Sequence, residues 1–400
     1  MKILILANKP PFPPKDGGAF AIFNIAKGLA ELGNYVRILA MNTSKHKIET
    51  QSLAVFDNIE ITFVDVNTEI NVFKAFVNYM FSILPYNATR FISKDYSNKL
   101  KEILKSETFD IVQLEGPYVG FYIPIIKKLS KARIVLREHN LEHEIWLRIL
   151  NQKKNIIQKI YLKNLTKRIA KFEKKIIKLC DAILPITPRD KEQLLKEGYS
   201  QPMHLTPVGI DVPTIDLKIT HQNAITYIGA LDWMPNQEGL IWFIDKVWPE
   251  VIKNNPYIIF HIAGRNAPIW LEKKLTSTKN VLFHGEVDSS YNFLRAADIM
   301  IVPLFSGSGM RVKIIEAMAY GKVVITTSIG IEGIEAIHNE HLFVTDDPQK
   351  FTNYILDLIG DEDMKIKIIN KAINLVKEKY DNIKISTSLN DFYRKITGNN

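Results

Sequence analysis

Short apolar runs alternate with amphipathic stretches along most of the chain. Spacings of three and four between apolar residues indicate helices in the amphipathic stretches. Continuous apolar runs separated by helices are typical of parallel strands that are covered on both faces of a sheet. The pattern therefore predicts α/β architecture, with eleven strands at KILILA, YVRILAM, IEITFVD, DIVQLEG, ARIVLREH, DAILPIT, AITYIGA, YIIFHIAG, VLFHG, DIMIVP and KVVITT.

The strands fall into two series, separated by a Pro- and Gly-containing stretch at 198–216. A chain of 400 residues is also long for one hydrophobic core. We predict two doubly wound domains that face each other across a cleft, an N-terminal one at 1–205 and a C-terminal one at 206–375. The last segment, 376–400, is predicted to be a helix that returns to the N-terminal domain.

Positive charge is concentrated in one segment. The net charge is +9, and residues 148–178 alone contain eleven Lys or Arg and one acid. Apolar positions recur there at helical spacing, which predicts one long amphipathic helix over 148–179. With the apolar stretch VFKAFVNYMFSILP nearby, this predicts peripheral attachment to an anionic membrane surface. The alternative is a helix whose apolar stripe packs on its own domain and whose basic face is solvated.

Composition narrows the function classes. A hydrophobic content of 46% and a charged content of 24% are typical of a globular protein. The single cysteine, Cys180, excludes a disulfide framework and is compatible with a reducing compartment. The apolar start of the chain is too short for a secretory signal and fits a first strand. We therefore expect a cytoplasmic protein, with peripheral attachment to the inner face of the membrane. A nucleic-acid partner is not expected.

Two loops of the first series contain candidate chemistry. In NKPPFPPKDGG, Gly17 and Gly18 precede a helix, where the backbone can approach an anion closely. The alternative is a Pro-rich connection closed by a turn. In REHNLEHE, His139 follows a strand and could contact a substrate hydroxyl or developing charge. The alternative there is a structural histidine. No second cluster of matching ligands accompanies it, so a metal site is not expected.

The stretch FSGSGMRVKIIEAMAYGK, from Phe305 to Lys322, has the strongest signal. Arg311 and Lys313 lie where a helix begins, although cations are unfavourable at that end unless an anion is bound there. Glu316 lies about 7.5 Å further along the helix axis, a distance that suits a diphosphate and its ribose. The alternative is a surface helix in which Lys313 pairs with Glu316.

These motifs resemble the group 1 glycosyltransferases, a retaining family with the GT-B fold that includes bacterial sugar and phosphatidylinositol mannosyl transferases. The resemblance covers nearly the whole chain and is most specific over Phe305–Thr327. It implies that the N-terminal domain binds the acceptor and the C-terminal domain binds the nucleotide sugar. The implied catalytic residues are His139, Arg311 and Lys313. The implied donor-binding residues are Gly17, Gly18, Gly229, Asp232, Asn236, Gly264, Arg265, Gly285, Val287, Gly307, Ser308, Gly309 and Glu316.

The chain departs from the family pattern at two places. The family usually has two glutamates eight residues apart; Glu316 matches the second, and Ser308 stands in place of the first. Many members also have a basic pair after the first strand of the second domain, but GALDWMPNQEG contains neither Arg nor Lys. The phosphate contacts are thereby left to Arg311 and Lys313.

The resemblance implies a retaining, metal-independent transfer from a nucleoside-diphosphate sugar to an acceptor hydroxyl, on a sugar, a lipid-linked molecule or another compound. Synthesis of a cell-surface polysaccharide or glycolipid is the expected setting, and no cofactor is expected. Two alternatives remain open: a nucleotide-sugar epimerase of the same fold, and a non-catalytic nucleotide-sugar binder, suggested by Ser308. The sequence Asp361–Asp363 is interpreted as a helix cap and not as a metal site.

Overall fold

The protein folds as two compact units, one formed by Met1–Gly209 with Asn382–Asn400 and the other by Ile210–Asp381. The structure, a computed structural model, describes residues 1–14, 16–48, 56–213, 223–307 and 309–398, and for Gln152 the backbone only. The end of the predicted interdomain stretch, at 214–216, lies outside the described residues. Unit 1 extends past residue 205 because the Gly209 carbonyl accepts a hydrogen bond from the Asn24 side chain, 2.9 Å.

Unit 1 is built on a six-stranded parallel sheet with the order β3-β2-β1-β4-β5-β6. All six strands predicted for this half of the chain are present, and one face of the sheet packs under the C-terminal helix. The strands are β1 Lys2–Ala7, β2 Tyr35–Thr43, β3 Ile59–Val66, β4 Ile111–Glu115, β5 Arg133–Glu138 and β6 Ala182–Pro185. The helices are α1 Gly17–Glu31, α2 Val72–Phe81, α3 Tyr86–Thr89, α4 Lys94–Ser106, α5 Ile123–Leu129, α6 Glu142–Gln152, α7 Ile156–Leu179 and α8 Pro188–Lys196.

Unit 2 repeats this plan on a second six-stranded parallel sheet, ordered β12-β11-β10-β7-β8-β9. The five predicted strands are present, and a two-residue edge strand, β12, adds to them. The strands are β7 Ala224–Ile228, β8 Ile259–Ala263, β9 Val281–Phe283, β10 Ile299–Val302, β11 Val323–Thr326 and β12 Phe343–Val344. The helices are α9 Met234–Lys246, α10 Trp248–Asn254, α11 Ile269–Thr276, α12 Ser290–Leu294, α13 Val312–Ala319, α14 Pro348–Gly360 and α15 Glu362–Lys379; α16, Asn382–Thr397, follows them.

The C-terminal helix α16 belongs to unit 1, but the segment before it does not. Asn382 donates to the Asn24 carbonyl on α1 at 2.9 Å, and a Cβ on Gly28 would lie 2.0 Å from the Ser386 hydroxyl. Glycine at position 28 therefore lets α1 and α16 approach closely. Residues 376–381 remain in unit 2, where the Tyr380 carbonyl accepts from the Ile210 N–H at 2.8 Å.

The prediction of one long helix over 148–179 is wrong. The backbone turns out of the helix at Lys153, and α7 begins after Asn155, whose side chain accepts from the N–H groups of Ile157 and Gln158. This cap satisfies donors that a continuous helix would have bonded to preceding carbonyls. The interpretation of Asp361 as a cap is confirmed, because its side chain accepts from the Met364 N–H at 2.8 Å.

Both sheets reverse their strand order between two adjacent strands, β1 and β4 in unit 1 and β7 and β10 in unit 2. In open α/β sheets, ligands bind beyond the carboxyl ends of the strands at such a reversal. The predicted loops after β1, β7 and β10 start from these strands, so the fold places them where a ligand site is expected.

Candidate active site

Three glycines bring the loops after β7, β8 and β9 together in unit 2. The Gly264 N–H donates to the Gly285 carbonyl at 2.7 Å, and the Gly229 N–H donates to the Ala263 carbonyl at 3.2 Å. A Cβ on Gly264 would lie 2.2 Å from the Gly229 carbonyl oxygen, so a larger residue would push the loops apart. The predicted donor-binding positions Gly229, Gly264 and Gly285 therefore form one connected edge of unit 2.

The first turn of α9 holds the loop after β7. The Asn236 side-chain amide donates to the Ala230 carbonyl at 2.8 Å, and that of Gln237 donates to the Leu231 carbonyl at 2.7 Å. Leu231 in turn donates its N–H to the Arg265 carbonyl at 2.9 Å. The prediction placed Asn236 near the donor, and the structure makes it a buried side chain that shapes this loop.

The ammonium of Lys313 lies at the centre of this edge. It is 3.1 Å from Oδ1 of Asn236, 3.3 Å from the carbonyl oxygen of Ile228 and 4.7 Å from the centre of the Tyr227 ring. Burial and the nearby charge of Arg311 lower the pKa of Lys313 to about 7. A cation with so low a pKa is stabilised when an anion binds beside it.

Arg311 lies two residues earlier, at the start of α13, and its side chain is buried. Its guanidinium donates to the Gly309 carbonyl and lies 5.9 Å from the centre of the Trp233 ring. Gly307 has a φ of +104°, and a Cβ there would lie 3.0 Å from Trp233 and 3.1 Å from Arg311. Glycine is thus required for this close packing. Ser308, which stands in place of the family's first glutamate, lies outside the described residues.

The predicted ribose ligand, Glu316, is half-buried on α13. Burial raises the pKa of Glu316 to about 7, and among the described residues its carboxylate has no hydrogen-bond or ion-pair partner. The alternative Lys313–Glu316 surface pair is not formed, because Lys313 contacts Asn236 and Ile228 instead. The structure thus leaves a carboxylate available for a ligand.

Sequence reasoning missed Trp233 and Tyr227. The Tyr227 hydroxyl is buried without a hydrogen-bond partner among the described residues, and it would lie 3.2 Å from a Cβ on Gly229. A tyrosine in the short buried strand AITYI, two residues before a glycine, is a signal that would have found it. Of the other predicted positions in unit 2, Asp232 is exposed, and Arg265 and Val287 are half-buried.

In unit 1, the predicted Gly17–Gly18 loop is organised by Asp16, the cap of α1. The Asp16 carboxylate accepts from the Ala19 N–H at 2.8 Å and pairs with Lys9 at 2.8 Å and His46 at 3.1 Å. Burial raises the pKa of Asp16, but these partners outweigh it and hold the pKa well below its usual range. A Cβ on Gly18 would lie 2.6 Å from the Lys9 ammonium, so glycine leaves room for that pair.

His139, at the carboxyl end of β5, is held by a buried carboxylate at the end of β4. Its Nε2 lies 2.5 Å from Oε2 of Glu115, and Arg137 lies 3.8 Å from the same oxygen. Burial raises the pKa of Glu115, but Arg137 and the hydrogen bonds from His139 and Gln113 lower it by more, so the pKa lies below its usual value. Glu115 is therefore ionised and can only accept, so Nε2 of His139 carries the proton.

Because Nε2 is protonated, Nδ1 of neutral His139 is left as the acceptor. Burial lowers the pKa of His139, so the neutral form is the one present at neutral pH. The chain of hydrogen bonds continues from Glu115 to Gln113 and on to the hydroxyl of Tyr393 on α16. Sequence reasoning missed this support, although Gln113 and Glu115 are conspicuous polar residues inside the buried strand IVQLE.

Two further polar residues of REHNLEHE, Glu142 and His143, have partners other than His139. Glu142 accepts from the Tyr118 hydroxyl at 2.8 Å, and burial raises the pKa of Glu142 to about 7. His143 pairs with Glu173 of α7. Both side chains therefore anchor the start of α6. Across the part of the chain that the structure describes, no group of three or more His, Cys, Asp or Glu side chains is arranged to hold a metal ion.

Comparisons with known proteins identify the family of the chain. The family model described as Glycosyl transferases group 1 matches residues 222–361, and the model described as Glycosyltransferase Family 4 matches residues 15–213. A Klebsiella pneumoniae protein described as an uncharacterized 44.6 kDa protein in the cps region is 27% identical over 400 residues, which cover 97% of this chain and 98% of that protein.

Two solved structures share the fold. Sucrose-phosphate synthase from Thermosynechococcus elongatus superposes with a TM-score of 0.73 at 15% identity, over 100% of both chains. Anabaena HepE in complex with UDP-glucose gives a TM-score of 0.67 at 14% identity, over 99% of this chain and 100% of that one. The two parallel six-stranded units thus have the GT-B fold of glycosyltransferases. The chain belongs to the group 1 glycosyltransferases.

Proposed function

We propose that the protein transfers a sugar from a nucleoside-diphosphate sugar to an acceptor hydroxyl, with retention of configuration at the anomeric carbon. The observation that supports this most strongly is the arrangement on α13. Two buried or half-buried cations lie at its start, and the carboxylate of Glu316 lies one turn further along without a partner among the described residues. Such an arrangement matches the charges of a diphosphate and the hydroxyl donors of a ribose.

In this proposal each group of unit 2 has a distinct role. The guanidinium of Arg311 offers a planar pair of donors to phosphate oxygens, and the ammonium of Lys313 supplies a point charge. When the bond between the anomeric carbon and the diphosphate oxygen breaks, negative charge develops on that oxygen, and both cations stabilise it. Glu316 accepts hydrogen bonds from the ribose hydroxyls. The phosphate charge is balanced by these side chains, so the proposed transfer is metal-independent.

The residue of unit 1 with a proposed role in the reaction is His139. Its Nδ1 can accept a hydrogen bond from a hydroxyl of the transferred sugar, and Glu115 keeps the ring in the required tautomer. The acceptor is a hydroxyl compound, either a sugar or a lipid-linked molecule. Synthesis of a cell-surface polysaccharide or glycolipid is supported by the relative from the cps region of Klebsiella pneumoniae.

The test begins with release of nucleoside diphosphate from a panel of nucleotide sugars. UDP-glucose is included first because the HepE structure contains it. The Arg311→Ala variant should lose about 10- to 100-fold in kcat/KM, equivalent to losing about 1.5–3 kcal/mol of charged hydrogen bonding. Arg295→Ala removes an exposed arginine of the same unit and should retain full activity.

Two outcomes would contradict the proposal. Unchanged turnover in Arg311→Ala would show that α13 does not bind the diphosphate. Tight binding of nucleotide sugars without release of the diphosphate, across a range of acceptors, would identify a binding protein without transferase activity.

A further inference from the structure

Helix α2 has its apolar face on the outside of unit 1. None of its residues is buried, and Phe73, Phe76 and Phe81 are 75%, 61% and 84% exposed. Val72 and Met80 on the same face are exposed as well, and Ile83 extends the apolar surface beyond the end of the helix. An apolar helix face of this size in contact with water is unfavourable, and it typically marks an interaction site.

The opposite side of α2 is anchored to α7. The Arg168 guanidinium donates to the carbonyls of Asn78 and Tyr79 at 3.1 and 2.7 Å, and the Tyr79 ring packs on Tyr161 with centres 5.4 Å apart. The half-buried positions Ala75, Asn78, Tyr79 and Ser82 recur at helical spacing, so this side faces the protein. The exposed phenylalanines are therefore presented by a fixed helix.

The first turn of α7 enlarges this apolar surface. Ile156, Ile157 and Ile160 are 69%, 74% and 59% exposed. Ile157 lies one turn before Tyr161 on the same side of α7, and Tyr161 contacts α2. The exposed apolar side chains of α2 and of the first turn of α7 thus lie on two helices that contact each other, and we call them together the outer apolar patch.

Lysines continue the exposed face of α7 beyond the patch. Ile160 shares a face with Lys167, Lys171, Lys174 and Lys178, since the steps between them are seven, four, three and four residues. These four lysines are exposed, and none forms an ion pair with another described residue. The acid of this segment, Glu173, is buried and bound to His143 and to the Glu142 N–H, so it does not neutralise the lysine face.

We propose that the outer apolar patch and the adjacent lysine face of α7 dock unit 1 on an anionic membrane surface. The phenylalanines and isoleucines would enter the boundary between headgroups and acyl chains, and the lysines would contact anionic headgroups. A second copy of this chain fits less well, because its own lysine face would be brought against the first. The surface includes neither donor-site nor catalytic positions, so this inference goes beyond the proposed function.

The structure also changes the mode of attachment that the sequence suggested. Most of the apolar stripe of α7, including Leu165, Ile169, Phe172 and Ile176, is buried within unit 1. The central and C-terminal parts of α7 therefore cannot insert their apolar stripe, and α2 provides most of the apolar contact instead. Among the described residues, no helix is both long enough and apolar enough to cross a bilayer.

The test is sedimentation with vesicles of phosphatidylcholine, alone or mixed with phosphatidylglycerol, at low and at high salt. We expect the full chain to sediment only with the anionic vesicles and to be released by high salt, since salt screens surface charge. The triple variant Phe73→Gln, Phe76→Gln, Phe81→Gln should stay in the supernatant. The quadruple variant Lys167→Gln, Lys171→Gln, Lys174→Gln, Lys178→Gln should bind at least tenfold more weakly.

Matched controls separate the surface from general effects of charge and hydrophobicity. Lys94, Lys101, Lys105 and Lys128 are exposed on α4 and α5 of the same unit, and their change to Gln removes the same charge. Ile269→Gln with Trp270→Gln removes exposed apolar side chains of unit 2. Both controls should sediment like the unchanged protein, and unchanged circular dichroism would show that every variant folds.

Three results would overturn the inference. One is a protein that stays in the supernatant with anionic vesicles at low salt, and another is a phenylalanine variant that sediments like the unchanged protein. The third is self-association in the absence of vesicles that the phenylalanine variant abolishes, which would assign the patch to a second copy of the chain. None of these measurements requires transferase activity, so their failure is distinct from failure of the proposed reaction.

Discussion

The ammonium of Lys313 lies 3.1 Å from Oδ1 of Asn236, and it does not pair with Glu316, although Glu316 is three residues away on the same helix. This arrangement fixes the cation at the edge where the loops after β7, β8 and β9 meet. It also keeps the cation and the carboxylate of α13 apart, so that each can contact a different part of one ligand.

Binding of a nucleotide sugar should therefore have a maximum near pH 7. A bound diphosphate favours the charged form of Lys313, whose pKa is about 7, so affinity is full below that pH and falls as the pH rises. Ribose hydroxyls favour ionised Glu316, whose pKa is also about 7, so affinity falls as the pH drops below that value. Each limb should have a slope of up to about tenfold per pH unit, for one coupled proton. Calorimetric titration with UDP-glucose across pH would measure both limbs.

Two variants assign the limbs to residues. Glu316→Gln should lose the acid limb and retain the alkaline one, whereas Lys313→Met should do the reverse. A profile with the same shape in the unchanged protein and in both variants would show that neither residue titrates with binding.

Glu316 should also determine the preference for ribose. Glu316→Gln keeps the size of the side chain but weakens its acceptance of hydroxyl protons, which should lower kcat/KM by one or two orders of magnitude, or about 1.5–3 kcal/mol. With a deoxyribose donor the variant and the unchanged protein should be nearly equal, because the contact is absent in both. An undiminished preference for ribose in Glu316→Gln would place the ribose elsewhere.

Gly229→Ala should weaken donor binding with little loss of stability. The added Cβ would lie 3.0 Å from the Asn236 amide and 3.1 Å from the Lys313 ammonium, so these side chains must shift by a few tenths of an ångström. We expect a several-fold rise in the dissociation constant of UDP. Gly360→Ala is the matched control, because nothing lies within 4 Å of its Cβ. Equal affinity in Gly229→Ala and the unchanged protein would show that the position of Lys313 is not critical.

His139→Ala should reduce transfer while sparing nucleotide binding, since the nucleotide contacts are proposed for unit 2. Glu115→Gln should act in the same direction through the tautomer of His139, and it should change the pH profile of kcat. Because buried Arg137 would lose its ion pair in Glu115→Gln, the melting temperature of each variant is measured without ligand. A lower melting temperature in His139→Ala, with normal turnover at a temperature where it is folded, would indicate a structural histidine.

The sequence alone was sufficient for the eleven predicted strands and for the positions of the main loops, but not for the break between α6 and α7. Hydrophobic runs predicted the strands because a buried parallel strand must be apolar on both faces. The glycines and cations of 305–322 indicated an anion site because cations at a helix start are otherwise unfavourable. The strands and the anion site depend on residues that are close together in the sequence, and they can therefore be predicted from a local pattern.

Tertiary structure decided which polar groups meet and which apolar groups remain outside. Glu115 supports His139 because β4 and β5 pair in register, and Lys313 reaches Asn236 because β10 lies beside β7 in the sheet. In the same way, α7 buries most of the apolar stripe that the sequence assigned to a membrane, whereas α2, which lies in the apolar stretch assigned to the same membrane, leaves its apolar face exposed. Strand order and helix packing join residues far apart in the chain. Local periodicity records that a residue is apolar or charged, but not which partner it contacts.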